Sequence, residues 1–384
     1  MRTIAMLAAA VLAALGAATG TQALEVRVEG LPTEVFRWSA DRCETWHVPD
    51  APARAFRTAD GGVRLIAAHH RNRFMAGEQL RGARVDCAVA FHGGGADAPE
   101  AYDDKLWLSA LWTDDGTTVH ALAHAEFHGQ TRPAHCPAAQ YMACWRNQLV
   151  HVVSYDGGRH FERNGVALVA GLPYRFDGAL GRRSGYFEPS NIVRGPGGLY
   201  AFLWAEAIGA QRRGACLMRT TDIADPEAWR AWDGGDFTVR FRDAYRDPIA
   251  EPARHVCAPI ARLDGVVSGV VRHRPSGRYI AVYATVRAMP DGSRRGGVWA
   301  THSADLTAWS EPALLMELPL MWARDCAAPA AWAYPALLDP DSEARNFDEI
   351  GARADLYLTR FNLGADCKLT ADRDLVRFGV AIRP

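Results

Sequence analysis

Three acidic residues stand in settings suited to general acid and base chemistry. Glu188 lies in Gly185-Tyr-Phe-Glu-Pro-Ser-Asn-Ile-Val193, directly before a proline and nine residues before Gly197, and Asp50 lies in Pro49-Asp-Ala-Pro-Ala-Arg54. Glu126 is flanked by His124 and His128, an alternation that turns all three side chains to one face of a strand. Breaking a glycosidic bond with water needs one carboxylic acid to protonate the leaving oxygen and a second carboxylate to activate water or attack the sugar. Each residue also has a purely structural reading: Glu188 could hold a neighbouring backbone, Asp50 could cap a turn, and 124–128 could be a solvated strand edge. Asp103 and Asp104 compete for the third acidic position and read as loop residues.

Polar residues cluster at comparable places along the chain: His69-His70-Arg71-Asn72-Arg73, His124 to His128, Glu206, and Arg360-Phe-Asn362. Arg54, His70, Asn72, His124, His128, Asn191 and Arg360 are the candidates for contacting substrate. No Cys-x-x-Cys or clustered Cys/His spacing points to zinc, so no metal or cofactor is expected in the reaction; a structural calcium stays open.

For acids so far apart in sequence to meet, the fold must bring them together, and the sequence contains a repeat that can. A short apolar strand, a Gly- or Asp-containing turn and a second apolar strand recur five times: Ala53 to His69, Leu106 to Phe127, Pro189 to Glu206, Ser268 to Val286, and Tyr334 to Asn362. Further strands follow, as in Leu149 to Phe161 and Gly297 to Trp309. Radial repetition of small antiparallel sheets buries their faces against one another and removes free edges, so the expectation is all-β: a single five-bladed β-propeller over residues 24–384. A β-sandwich with an extra domain also gives many short strands, but it supplies no reason for one repeated unit. Helical periodicity is confined to Asp225-Pro-Glu-Ala-Trp-Arg-Ala-Trp232, read as a single turn with Asp225 as cap.

The N-terminus, Met1-Arg2, the apolar run from Ile4 to Ala18 and then Thr21-Gln22-Ala23, reads as a signal peptide cleaved after Ala23 and implies a secreted or periplasmic protein. The apolar run is shorter than the roughly 20 residues a membrane span needs. A formal net charge of −1 supplies no field for nucleic acid or an anionic membrane. The expected partner is a carbohydrate, bound by a monomer. Eight cysteines, an even number, suit disulfides in an oxidising compartment; their pairing stays open, although Cys136 and Cys144 are close enough to close a small loop.

Ser154-Tyr-Asp-Gly-Gly-Arg-His-Phe161 resembles the Asp-box of sialidases and related propellers, a structural hairpin motif. The arrangement as a whole resembles the five-bladed glycoside hydrolases of families 43 and 62. Their pattern of an acidic residue opening a blade, often beside proline, about nine residues before a Gly-containing turn is similar to Glu188-Pro189 through Gly197. The resemblance implies that Glu188 is the general acid, Asp50 the general base, Glu126 the residue that holds or tunes the acid, and that the reaction inverts the anomeric centre. Two departures accompany it: Asp50 lies two residues early, and Trp107 stands where the family places its tuning aspartate. Two alternatives remain, a lectin-like propeller that binds sugar without cleaving it, and a sialidase-like enzyme using Arg54, Arg71, Arg73 and Arg360 to grip a carboxylate.

Overall fold

A computed structural model describes residues 24–132, 134–136, 142–175 and 180–383. The signal peptide expected over 1–23 lies outside the described residues.

Each repeat of the sequence becomes an antiparallel hairpin, and two further strands complete a sheet around it. The first blade comprises Arg54–Arg57, Val63–Ile66, Met75–Gly77 and Arg84–Val85. The second comprises Lys105–Trp112, Val119–His128, Trp145–Ser154 and Leu168–Ala170. The third runs through Val193–Gly195, Gly198–Ala205, Gly214–Thr220 and Arg230–Trp232, with Phe237–Val239 beyond. The fourth has Val267–His273, Tyr279–Ala288, Arg294–Ser303 and Ala313–Glu317. The fifth takes Ala330–Leu338, Arg353–Leu363 and Leu369–Arg383 from the end of the chain and Glu25–Phe36 from its beginning. The two ends of the described chain therefore meet in one sheet, which ties the ring shut.

The packing proves the closure. Phe56, Ile66 and Phe74 of the first blade share a core with Leu106, Leu108 and Val119 of the second. Leu122 and Leu149 of the second pack with Leu203 and Met218 of the third. Phe202 and Leu217 of the third meet Val270 and Tyr283 of the fourth, and Ile280 and Val298 of the fourth meet Leu356 and Val376 of the fifth. Leu338 and Tyr357 of the fifth then pack with Leu65 and Met75 of the first. Five neighbouring pairs around one circuit make a five-bladed β-propeller, and burial of these apolar faces is the main force holding it together.

Side-chain amides fasten the blades where the inner strands approach. Asn72 donates to the carbonyl oxygens of Phe91 (3.2 Å) and Leu106 (2.9 Å) and accepts from Leu108 N (2.8 Å). Asn191 does the same between the third and fourth blades, donating to Val270 O (2.7 Å) and accepting from Val270 N (2.8 Å).

The Asp-box turn lies at the far end of the second blade. Ser154 Oγ and the Asp156 carboxylate collect the amides of Gly158, Arg159 and His160, while Phe161 is buried against Phe74. A Cβ on Gly158 would lie 2.6 Å from the Phe56 ring, so that position admits only glycine. Ser303, Asp305 and buried Trp309 repeat the device in the fourth blade. The helical segment is one turn, Pro226–Ala228, and Asp225 caps it by accepting from Glu227 N (2.8 Å).

Candidate functional site

Inner strands all run from one face of the ring to the other, so residues at their starts and at the ends of the second strands share a rim. Asp50 precedes the first inner strand, and its amide bonds Ala68 O (3.1 Å) at the end of the second. Glu188 precedes the third inner strand. Glu126 lies near the end of the second strand of blade two, opposite Lys105 and Asn147.

The three carboxyls lie within one another's electric field: Asp50 raises the pKa of Glu126, and both raise that of Glu188. Burial is the larger effect in each case. It pushes Glu188 up to about 7, against the opposing pull of Arg183. Glu126 is driven well above the carboxylate range, and Asp50 is raised although the Arg373 guanidinium pulls it down. The Tyr334 hydroxyl senses all three acids, which places it close to them.

Each acid has a different set of supports. Asp50 is ion-paired with Arg373 and bonded by Trp107 and by the Tyr334 hydroxyl, the latter at 3.5 Å. Glu126 bonds His128 Nε2 (2.7 Å), with His124 Nδ1 at 3.7 Å; His124 Nε2 is fixed in turn by Asn147 Oδ1 (2.9 Å). Burial lowers both histidines, His124 to about 3 and His128 to about 4, so they are neutral hydrogen-bonding groups near pH 7. Arg183 stacks over the Phe187 ring (4.5 Å) beside Glu188 and is held by Glu206 (3.0 Å).

The strand that delivers Glu188 is Ser184–Phe187, which pairs in parallel with Trp145–Ser154 through Gly185 and Asn147. Gly185 has φ +113, and a Cβ there would lie 1.9 Å from Asn147 O. Only glycine permits the two backbones to approach so closely. Glu188 then takes φ +33 immediately before Pro189, and Tyr334 takes φ +62 before Pro335 in the fifth blade. Both are sparsely populated conformations for residues with side chains.

His70 of the expected substrate-contacting set is half-buried on the same rim, its ring 5.7 Å from that of Trp107. Four others are used differently. Asn72 is fully buried with its amide committed to backbone, and Asn191 is likewise an inter-blade tie, because a short amide can satisfy N–H and C=O groups left free between sheets. Arg360 is held by Glu34 (2.6 Å) and Asp374 (2.7 Å) within the fifth blade. Arg54 is an axial residue, donating to the carbonyls of Ser109, Pro189 and Ser268.

Asp103 and Asp104 are engaged outside the trio, by Arg163 (2.9 Å) and Arg132 (2.7 Å). The arginines that could have gripped a carboxylate are dispersed: Arg71 and Arg73 both hold Glu44, while Arg54 and Arg360 have the partners just named. Arg373, Arg183 and Tyr334 are neighbours of the three acids that sequence reasoning missed, and Trp107, noted there only as a departure from the family pattern, is a partner of Asp50. Tyr334-Pro335 repeats the pattern of Glu188-Pro189, a signal that could have found it.

Among the described residues no group of three or more His, Cys, Asp or Glu is arranged to hold a metal ion. A groove of about 400 Å³ lies on the opposite face between blades one and two, lined by Thr58, Asp60, Arg64, Asp156 and Arg159 among others. Its two carboxylates are occupied by turn amides.

No family model matches the chain, and no curated protein matches it. Among solved structures the chain is similar to an α-L-arabinanase of Cellvibrio cellulosa complexed with arabinohexaose, with TM-score 0.47 and 10% identity over 89% of this chain and 91% of that one. It is also similar to an α-L-arabinofuranosidase of Podospora anserina in complex with cellotriose, with TM-score 0.45 and 8% identity over 92% and 95% of the two chains. A glycosyl hydrolase of Bacteroides ovatus gives TM-score 0.46 and 12% identity over 93% and 98%.

Proposed function

We propose that this protein is an exported glycoside hydrolase that cleaves a neutral carbohydrate chain with water. The observation that carries the reading is the contrast between two neighbouring carboxyls, both raised by burial but only one of them ion-paired. Glu188 is a half-buried acid whose pKa is raised to about 7, and Asp50 is a carboxylate paired with Arg373. Pairs of titratable groups pushed into different protonation states are how one site runs acid and base chemistry together.

In this mechanism Glu188 delivers its proton to the leaving glycosidic oxygen as the bond to the anomeric carbon breaks. Asp50, oriented by Arg373, Trp107 and Tyr334, which favour its ionised form against the effect of burial, takes a proton from the attacking water. Glu126, locked between His124 and His128, raises the pKa of Glu188 to the extent that it is ionised, an effect that its own burial reduces. Arg183 limits that effect. Direct displacement by water inverts the anomeric centre, and it requires the two carboxyls to stand roughly 6.5–9.5 Å apart. Four disulfides fit export to an oxidising compartment.

The test is product analysis on arabinosides, xylosides, galactosides and fucosides, with the anomer of the first product read by NMR. Release of sugar with inverted configuration supports the reading, and retention would reassign Asp50 as a nucleophile. A second reading, a lectin-like propeller, is favoured by one observation: Trp107 stands in the second inner strand and bonds Asp50 where an acid was expected. Saturable sugar binding with no product from any of these substrates selects it.

A further inference from the structure

Trp46 lies four residues before Asp50 on the same face of the ring, and 54% of it is exposed. Its ring is parallel to that of His69 (6.4 Å, 10°), and His69 meets Trp107 edge-on (6.0 Å, 82°). Trp107 in turn bonds Asp50, so the rings form a continuous path from solvent to the carboxylate.

Two further observations separate this from an incidental surface tryptophan. First, the segment carrying it is fixed. Cys43 is joined to Cys87, Glu44 is held by Arg73 (2.7 Å) and Arg71 (3.1 Å), and the Cys43 amide bonds His47 Nδ1 (3.2 Å). A rigid aromatic face presented to water is pre-organised for a partner, because little freedom is lost on binding. Second, His69 is only 8% exposed, and its Nδ1 is buried with no hydrogen-bond partner. Buried polar atoms are ordinarily satisfied, so an unmet one beside an open ring calls for an incoming group. Trp322 is equally exposed on this face, and Tyr155 is exposed on the opposite face.

We propose that Trp46 and His69 form a sugar subsite adjoining Asp50, in which the apolar face of a second ring of the chain stacks on Trp46 while one of its hydroxyls bonds His69 Nδ1. This rests on the hydrolase reading for the identity of the neighbouring site, but not for its own test. A subsite beyond the reacting ring makes the ligand an oligosaccharide rather than a monosaccharide.

The experiment is calorimetric titration of Glu188→Gln protein with arabinohexaose, xylohexaose and cellohexaose and with the matching monosaccharides, repeated with Trp46→Ala, Trp46→Phe or His69→Phe added. At least one hexasaccharide is expected to bind much more tightly than its monosaccharide. Trp46→Ala should weaken that hexasaccharide about tenfold, the scale of one aromatic stacking contact. Trp46→Phe should stay within about threefold, and His69→Phe, which keeps the ring and removes Nδ1, should lose a fewfold. Thermal melts of each variant confirm the fold. Hexasaccharide binding indifferent to Trp46 overturns the subsite even if the parent protein hydrolyses the sugar. Binding that depends on Trp46 without turnover by the parent overturns the hydrolase reading alone. Absence of both binding and turnover overturns both.

Discussion

Arg54, on the innermost strand of the first blade, donates a terminal guanidinium N–H to the carbonyl of Pro189 (3.2 Å), the residue that follows Glu188 on the third. The same side chain reaches Ser109 O (2.8 Å) and Ser268 O (2.8 Å), so one cation ties four blades at the axis. Burial lowers its pKa to about 9, yet it is charged at neutral pH, and its charge favours the ionised form of Glu188.

Arg54→Met is expected to lower stability by about 3 kcal/mol, because three buried carbonyls lose a charged donor without gaining water. It should also raise the pKa of Glu188. Thermal denaturation and the pH profile of kcat/KM read the two effects separately. A melting temperature equal to that of the parent would show that the axial tie carries no weight.

If Glu188 must be protonated to act, kcat/KM should fall as pH rises through about 7, the pKa that burial gives it. Glu188→Gln should reduce turnover by about 10²–10⁴-fold while the protein still folds. Stability follows with a definite sign. The folded-state pKa lies above the ordinary glutamate value of 4.5, so ionisation works against the fold. That penalty is absent below pH 4.5, grows between 4.5 and about 7, and is complete above it. The melting temperature of Glu188→Gln relative to the parent should therefore increase across that window. A constant difference would mean that Glu188 is not buried enough to matter.

Arg373 opposes the burial that raises Asp50, so Arg373→Met should move the acid limb of kcat/KM to higher pH, and Arg373→Lys should move it back part of the way. Loss of activity with an unmoved acid limb would make Arg373 a substrate contact instead.

Gly185→Ala places a methyl 1.9 Å from Asn147 O on a backbone with φ +113. Strain and displacement of the parallel strand should destabilise the protein by about 3 kcal/mol and shift Glu188 off target. Hydrogen exchange at Ser184–Phe187, together with turnover, reports the change. Parent-like exchange and rate in the variant would show that the close approach is not required.

How much of this could be read from the chain depended on whether a residue's role was set locally or by closure of the ring. The five hairpins are visible because strand, turn and strand are contiguous, and Glu188 stands out because the proline after it fixes a blade start. Arg373 was invisible, since it meets Asp50 only when the fifth blade closes on the first, 323 residues away in sequence. Asn72 and Asn191 misled for a related reason: a polar residue near a strand end can face the rim or fasten the next sheet, and only the neighbour decides. Arg360 lies next to Phe361, whose ring is buried, and strand alternation sends its guanidinium away to Glu34 and Asp374. The pairing of Cys43 with Cys87 and of Cys326 with Cys367 was likewise open, because in each the two partners lie in different connections, whereas Cys136 and Cys144 share one and form the small loop that their spacing allowed.

All four disulfides join segments on the face that carries the carboxyls: Cys43–Cys87, Cys136–Cys144, Cys216–Cys257 and Cys326–Cys367. The hairpin turns of the opposite face carry none, although they are held by Asp-box hydrogen bonds. This asymmetry argues that the bonds fix long connections around the site as well as adding to global stability. Cys43–Cys87 closes a span of 44 residues, for which loop-closure entropy alone gives about 4 kcal/mol. Its loss frees the segment from Cys43 through Trp46 to Asp50. The double replacement Cys43→Ser, Cys87→Ser should therefore lower the melting temperature and, below that temperature, raise KM for an oligosaccharide, because Asp50 and its neighbours are no longer held in place. Steady-state kinetics well below the melting transition separate the two consequences. Parent-like KM and kcat in a folded variant would reduce this disulfide to a stabilising link with no bearing on the site.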